Sequence, residues 1–352
     1  MQGGGASLQA TGGPLHRYRG RVNPPADEQT IGDLTEGQIL RRVLTVLGAS
    51  DAPVGPGDDA AVLAAPDGRV VATTDTLVHG PDFRLAWSSG FDLGWKSAAV
   101  NLADIAAMGA RPTALLVALA MPTETSVSFV EELARGLRAA CDALAPGCAV
   151  EGGDLTVSET LTIAVTALGS LDGRRPVLRS GARPGDVLAV AGALGAAGRG
   201  LAILFDRFRD AAGEPVPVDA GRLSPDDLAA VAAQLRPSPP VGLGIVAADA
   251  GATAMMDVSD GLVLDASRLA AASHVTVDID TALLGADPAL ALSAGEDHAL
   301  LAAFPPETAM PEGFRALGRV GERAGHDVLL DGRGYDGRGG WDPYRDWDAK
   351  SG

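Results

Sequence analysis

"FDLGWKSAAVNLADIAAMGARPTALLVALAMP", residues 91–122, changes its periodicity once, between Gly109 and Pro112. Up to Met108 the stretch predicts a helix rich in small residues that let neighbours approach closely. Gly109 is the stop, and Pro112 cannot continue the helix. From Thr113 to Met121 the run is apolar and predicts a strand. A helix running directly into a strand sets the pattern for the chain.

The same alternation extends in both directions. "TEGQILRRVLTVL" (35–47) has apolar residues at helical spacing with Thr35 as cap, and "SVSFVEELARGLRAACDAL" (126–144) is a second amphipathic helix. "AAVLAAP" and "RVVATTDTL" read as two strands joined by an Asp67-Gly68 hairpin turn, and "CAVEGGDLTVS" and "TLTIAVTALGSL" as two more. Periodicity breaks at "DGRRPVLRSGARPGD" (172–186). It resumes as strand (186–194), helices (196–208, 224–235 and the stretch after "RPSPP"), and then strand, turn and helix over "ATAMMDVSDGLVLDASRLAAAS" (252–273). "VTVDID" and "HALLAAF" are further strands. Because hairpins accompany the alternation, the fold class is mixed α/β (α+β) in two domains, not a pure parallel sheet. The expected division is a Gly/Pro-rich tail over 1–33, an N-terminal domain over 34–172 and a C-terminal domain over 173–347.

Composition narrows the functions. With 46% hydrophobic but only 4% aromatic residues, the cores must be built from Ala, Val and Leu. No apolar run is long enough for a membrane span, and the N-terminal stretch lacks the apolar segment of a secretory signal. Cys141 and Cys148 form no metal-binding or redox motif and fit a reducing, cytoplasmic setting. A net charge of −17 argues against nucleic acid or an anionic membrane as partner. Lysine occurs only as Lys96 and Lys350, neither in a P-loop, so phosphate handling would fall to metal ions and backbone N–H groups.

Acids recur at strand ends or helix starts, in short stretches with glycine, serine or threonine beside them: Asp58, Asp59, Asp75, Asp104, Asp154, Asp257, Asp260, Glu296 and Asp297. A single aspartate in such a place is usually a turn residue or a helix cap. The recurrence is what matters, since converging carboxylates raise one another's pKa unless a cation joins them. An oxygen-only set points to Mg²⁺ rather than zinc, and Mg²⁺ commonly brings substrate phosphates. The histidines are scattered, with His298 and His326 reading as ordinary surface or strand positions. "GLGIVA" (242–247) follows a Pro-rich stretch and reads as a helix start, and the acids of "GPGDDA" (55–60) would repel a pyrophosphate, so neither marks a dinucleotide fold.

In order and spacing, "GPGDDAAVL", "TTDTLV", "WKSAAVNLADIAAMGARP", "EGGDLT", "RSGARPGD", "RPSPP", "MMDVSDGL" and "SAGEDHALL" resemble the thiamine-monophosphate kinases. The resemblance covers roughly residues 34 to 345. It implies a superfamily fold shared with aminoimidazole ribonucleotide synthetase and selenophosphate synthetase. In that fold the N-terminal domain forms a β-barrel across a homodimer, beside a C-terminal α/β domain. It implies transfer of the ATP γ-phosphate to thiamine monophosphate with several Mg²⁺ ions. Asp59, Thr73, Thr74, Asp75, Asp104, Asp154, Asp257 and Asp260 match metal-binding positions. Gly153, Asp154, Arg179 and Ser259 match ATP-contacting positions, and Glu296 and Trp341 match substrate positions. Asp82 stands where the family often has a substrate-contacting histidine; an aspartate there can pair with a cationic thiazolium or aminopyrimidine. His298 replaces a usual tyrosine, expected to be a packing change. The alternatives are another ATP-dependent enzyme of the superfamily or a non-catalytic dimeric metal- or nucleotide-binding protein. Selenophosphate synthetase would want a reactive cysteine or selenocysteine with a lysine near its N-terminus, and residues 1–40 contain neither.

Overall fold

The structure, a computed structural model, describes residues 28–49, 51–56, 60–335, 337 and 339–341. In chain order its main elements are α1 (Glu36–Leu47), β1 (Val71–Val78), α2 (Gly90–Ala107), β2 (Arg111–Met121), α3 (Val127–Leu144), β3 (Ala149–Val157) and β4 (Thr162–Ser170). There follow β5 (Val187–Ala191), α4 (Ala196–Arg207), α5 (Pro225–Leu235), α6 (Val241–Asp249), β6 (Ala254–Val258), α7 (Leu262–Ser273) and β7 (Thr276–Ile279). The last are α8 (Pro288–Ser293), β8 (Ala299–Phe304), β9 (Phe314–Gly321), β10 (Val328–Leu330) and β11 (Arg333–Gly334). "GLGIVA" lies in α6, as its Pro-rich approach predicts.

Two mixed sheets result. The first has the order β1-β4-β2-β3, with β2–β3 parallel and the other pairs antiparallel. The second has seven strands in the order β11-β10-β7-β9-β5-β8-β6. On the first sheet Ile163, Val165, Ala167, Leu115, Leu119 and Met121 are buried in one core with residues of α2 and α3. The opposite face, with Thr74, Ala118 and Ala164, is left partly open.

Helix α2 is the seam between the sheets. It packs on β1, β2 and β4 on one side and on α6, β6 and β8 on the other. Leu102 and Ile105 share a core with Met255, Leu300 and Phe304. Clamped from both sides, it has no solvated stripe, which explains its run of small apolar residues. Its approach to α3 is equally close: a Cβ on Gly94 would lie 2.0 Å from the Leu133 carbonyl oxygen. Any polar side chain on this helix is therefore forced into an interface, where it must find a partner.

One expectation is corrected. Residues 60–66 form no hairpin strand; Val62 makes only an isolated bridge to Val54. Asp67 instead accepts from Gly173 N and Arg69, tying the turn to the start of the second half. Packed structure begins before residue 34, since Ile31 is buried and Thr30 bridges to Ser126. Among the described residues of one chain the N-terminal sheet is open, with β1 and β3 as its edges. No described helix is long and apolar enough to cross a membrane.

Candidate active site

The strand alternation of β1 sends Thr73 and Asp75 toward α2. Thr73 Oγ1 donates to Asp104 Oδ2 at 2.7 Å, and the Asp75 amide donates to Asn101 Oδ1 at 3.1 Å. Asp257 arrives near the end of β6, a strand buried throughout its length. These carboxylates feel one another. Burial first, and then the charges of Asp257 and Asp75, push the Asp104 carboxyl up to about 7. Burial likewise raises Asp75, with Asp257 and Glu296 adding to it against the opposing influence of His298.

Among the described residues no three acids or imidazoles converge closely enough to form a finished ion cage. Asp58 and Asp59, two of the expected acids, lie outside the described residues. The donor set that is present consists of carboxylates and a hydroxyl with an excess of negative charge, which fits a hard divalent cation and not a thiophilic one.

The "GEDH" segment is the second component. Glu296 and His298 both adopt left-handed conformations, φ 71° and 52°, at a cost of ~1–3 kcal/mol each. That backbone lets the segment lie along the end of β6: Glu296 N donates to Ser259 O at 2.9 Å and His298 N to Val258 O at 3.1 Å. His298 is brought against Asp257, Nδ1 to Oδ2 at 3.1 Å. Glu296 forms an ion pair with Lys96 of α2. Burial works against the Glu296 carboxylate, but Lys96 and His298 outweigh it and hold the group below its usual range. Asp297 turns away and caps α4, accepting from Gly195 N at 2.6 Å and Ala197 N at 2.8 Å.

Beside these residues opens a cavity of about 230 Å³. Asp82, Glu296 and Trp341, the three residues that the resemblance assigns to substrate, all line it, together with Ser259 and Asp260. Asp82 Oδ2 accepts from Val78 N at 2.7 Å, which fixes the turn after β1. Trp341 N donates to the Asp260 carbonyl at 2.9 Å, holding Trp341 at the cavity. Trp87 and Phe205 meet edge to face in its wall, ring centroids 4.9 Å apart, giving it an aromatic side. Asp260 is paired with Arg268 at 2.6 Å, and Arg268 also reaches Asp265, whose carboxyl burial pushes up to about 6.

Other expected residues stand apart from this cluster. Thr74 points to the opposite face of the sheet, where its Oγ1 donates to Val165 O at 3.0 Å and accepts from Thr166. Asp154 is exposed on β3, the edge strand opposite β1, and is paired with Ala118 on the open face. Three strand spacings put it roughly 14 Å across the sheet from β1. Gly153 serves packing: a Cβ there would sit 1.9 Å from Val117 O. Arg179 lies at the C-terminal end of α7, where its carbonyl accepts from Ser273 Oγ. Ser259 is at the other end of that 12-residue helix, roughly 18 Å away.

Sequence reasoning missed two residues. His298 is neither a surface position nor a packing substitution, since it is 5% exposed and bonded to an acid of the site. Lys96, set aside for want of a P-loop, is 4% exposed and forms part of the cavity wall. Its one available signal was a lone cation in a helix whose neighbours are almost all small or apolar.

An open sheet with half-buried acids against its covering helix, followed by a second mixed sheet, defines the class. Residues 57–171 match the AIR synthase related protein, N-terminal domain. The thiamine-monophosphate kinase of Mycobacterium tuberculosis is 41% identical over 306 residues, 83% of this chain and 86% of that protein. The crystal structure of thiamine-monophosphate kinase from Stenotrophomonas maltophilia K279a is similar with a TM-score of 0.70 and 33% identity, covering 85% of this chain and 96% of that one. A structure of AaThiL complexed with AMPPCP and TMP gives 0.67 at 31% identity, over 89% and 99% of the two chains. The chain belongs to the thiamine-monophosphate kinase family.

Proposed function

We propose that this chain transfers the γ-phosphoryl group of ATP to the phosphate of thiamine monophosphate, giving thiamine diphosphate and ADP, with Mg²⁺ as the metal. The names of its relatives and the AMPPCP and TMP bound by a related structure support the reading. The observation that carries it is internal to the chain. Asp82, Glu296 and Trp341, far apart in sequence, line one cavity together with Ser259 and Asp260, which follow Asp257 closely in the chain.

In the reaction an acceptor phosphate oxygen bonds to the γ-phosphorus as the bond to the β-phosphate oxygen breaks, its electron pair leaving with ADP. The acceptor phosphate, with a second pKa near about 6, is mostly ionised at neutral pH, so no strong base is required. Positioning and electrostatics then account for most of the acceleration. Asp75, Asp104 and Asp257 would hold Mg²⁺, which would supply the charge neutralisation that two anionic reactants need. Trp341 and the Trp87–Phe205 pair offer ring faces to the thiamine, and Asp82 offers a carboxylate to its cationic part. Glu296, kept ionised by Lys96, holds the cavity side of the junction.

The same reading includes a homodimer with an eight-stranded barrel. β1 and β3 are both unpaired edges, and the sheet face between them is partly open. Joining two copies edge to edge would set the β3 edge that carries Asp154 beside the β1 edge of the other copy. Arg179 as an ATP contact and Asp59 as a metal ligand belong to this proposal, as does the division into a metal- and ATP-binding half (34–172) and a C-terminal half (173–347).

The test is incubation with ATP, Mg²⁺ and thiamine monophosphate, followed by chromatographic separation of the thiamine species. Thiamine diphosphate should form only with the monophosphate and only before EDTA is added. Its absence, with nucleotide still bound, would overturn the choice of acceptor.

A further inference from the structure

The geometry points to Lys96 as a catalytic residue whose ammonium group binds the acceptor's phosphate at the cavity wall beside Glu296; this rests on the kinase reading above. Lys96 is one of two lysines in the chain and projects from the helix that separates the two sheets. Its flanking residues Leu93, Ala98, Ala99 and Val100 are all buried. A cation in such surroundings contributes little net stability even when paired, and an apolar side chain would serve packing better. Its presence calls for a ligand.

The hydrogen-bond inventory leaves room for one. An ammonium has three donors. One is directed to Glu296. A second reaches the Gln234 side-chain oxygen at 3.2 Å, with the amide turned so that its nitrogen donates to Ala197 O, also at 3.2 Å. Among the described residues no acceptor takes the third, and Lys96 forms part of the cavity wall. Arg84, the other cation of that wall, is committed elsewhere. It donates to the carbonyls of Gly80 and Phe83 and lies 5.9 Å from the ring centroids of Trp87 and Phe205.

Its position matches the task. The charge of Lys96 is felt by Asp82 on the thiamine side and by His298, which is bonded to Asp257, on the metal side. The acceptor phosphate must lie between those two regions during transfer. An ammonium there stabilises the acceptor's anionic oxygens and holds one in line with the γ-phosphorus, with no proton moved. Glu296 acts as the counter-ion that keeps Lys96 in place before substrate enters. Its side chain is 43% exposed, toward the cavity that it lines.

The test compares thiamine monophosphate with thiamine, which lacks the phosphate, by calorimetric binding to full-length protein holding Mg²⁺ and AMPPCP. Lys96→Gln, which keeps a donor for Glu296, should weaken monophosphate binding at least ~30-fold while thiamine binding changes less than about threefold. Lys96→Arg should recover most of the preference for the monophosphate. Equal weakening of both ligands, or of neither, overturns the lysine assignment and leaves the kinase reading standing. A wild-type protein that does not bind thiamine monophosphate overturns both. Should Lys96→Gln fail to fold, carbamylation of the wild type by cyanate decides, with Lys350 as internal reference. Thiamine monophosphate should slow labelling at Lys96 and thiamine should not; equal slowing overturns the assignment.

Discussion

Asp257 Oδ2 and His298 Nδ1 meet at 3.1 Å across the ends of β6 and β8, with both side chains almost fully buried. The imidazole occupies one carboxylate oxygen and fixes the orientation of the other. Among the described residues His298 Nε2 has no hydrogen-bond partner, so the ring is held by Asp257 alone. His298→Phe removes that constraint and should weaken Mg²⁺ binding by roughly tenfold, the usual consequence of losing a residue that orients a ligand. His298→Tyr keeps a donor and should retain more of the affinity. A calorimetric Mg²⁺ titration decides; an unchanged affinity in His298→Phe would remove the orienting role.

The half-buried acids also set the sign of a pH dependence. Asp104 has a carboxyl pushed from 3.8 up to about 7, so between those values the folded state binds protons that the unfolded state has lost. Its stabilising share is complete below about pH 4 and is lost as pH rises through 7. For His298 burial acts downward, but the Asp257 bond and charge prevail and raise the group, so its share is lost over the same upward direction. In EDTA the melting temperature should therefore fall from about pH 6 to about pH 8, and Mg²⁺ should restore more at the higher pH. Asp104→Asn should melt higher than wild type in EDTA at high pH, gain nothing from Mg²⁺, and lose at least about a hundredfold in turnover. A flat or rising wild-type profile would contradict this account.

Asp82 makes a separable contribution. One of its oxygens is used by the Val78 amide, and the residue also faces the cavity. Asp82→Asn preserves that acceptor while removing the charge offered to a cationic thiamine ring. KM for thiamine monophosphate should rise about tenfold with kcat little changed, the pattern of lost uniform binding. A fall in kcat at constant KM would place Asp82 in the transfer step instead.

The acids were legible as a set because most sit in short stretches with glycine, serine or threonine beside apolar runs, and the structure brings Asp75, Asp104 and Asp257 within electrostatic reach. The helix-to-strand change at Gly109 was legible for a similar reason, since α2 and β2 differ in period and are punctuated by glycine and proline. What one sequence cannot display is the facing of a residue across a long separation. Lys96 meets Glu296, and Asp257 meets His298, only because the left-handed "GEDH" backbone lies along the end of β6. Thr74 is the converse case: adjacent to Thr73 and Asp75, it is turned by the strand's twofold alternation to the other face. The false hairpin at 60–78 had alternation and a turn but lacked a partner, because Asp67 is engaged by Gly173 and Arg69.

Gly94 gives a stability test that is independent of the chemistry. A Cβ there would sit 2.0 Å from the Leu133 carbonyl oxygen, and backbone cannot move aside as a flexible side chain can. Gly94→Ala should push α2 and α3 apart and cost about 3 kcal/mol, more than the gain in helix propensity returns. Denaturant unfolding measures it. A neutral or stabilising result would show that the two helices can separate freely.

The placement of Asp154 leads to the sharpest test of assembly. Asp104 packs against β1, whereas Asp154 is exposed on β3 at the far edge of the sheet and on its open face. In the homodimer proposed above, a single site needing both draws them from two copies. Asp104→Asn and Asp154→Asn should each be nearly inactive alone. Unfolded together and refolded as an equal mixture, they should form mixed dimers in which one of the two sites has both acids intact. Random pairing makes half the dimers mixed, so activity should return to about a quarter of wild type. If both acids served the same copy's site, every site in the mixture would lack one of them and no activity would return.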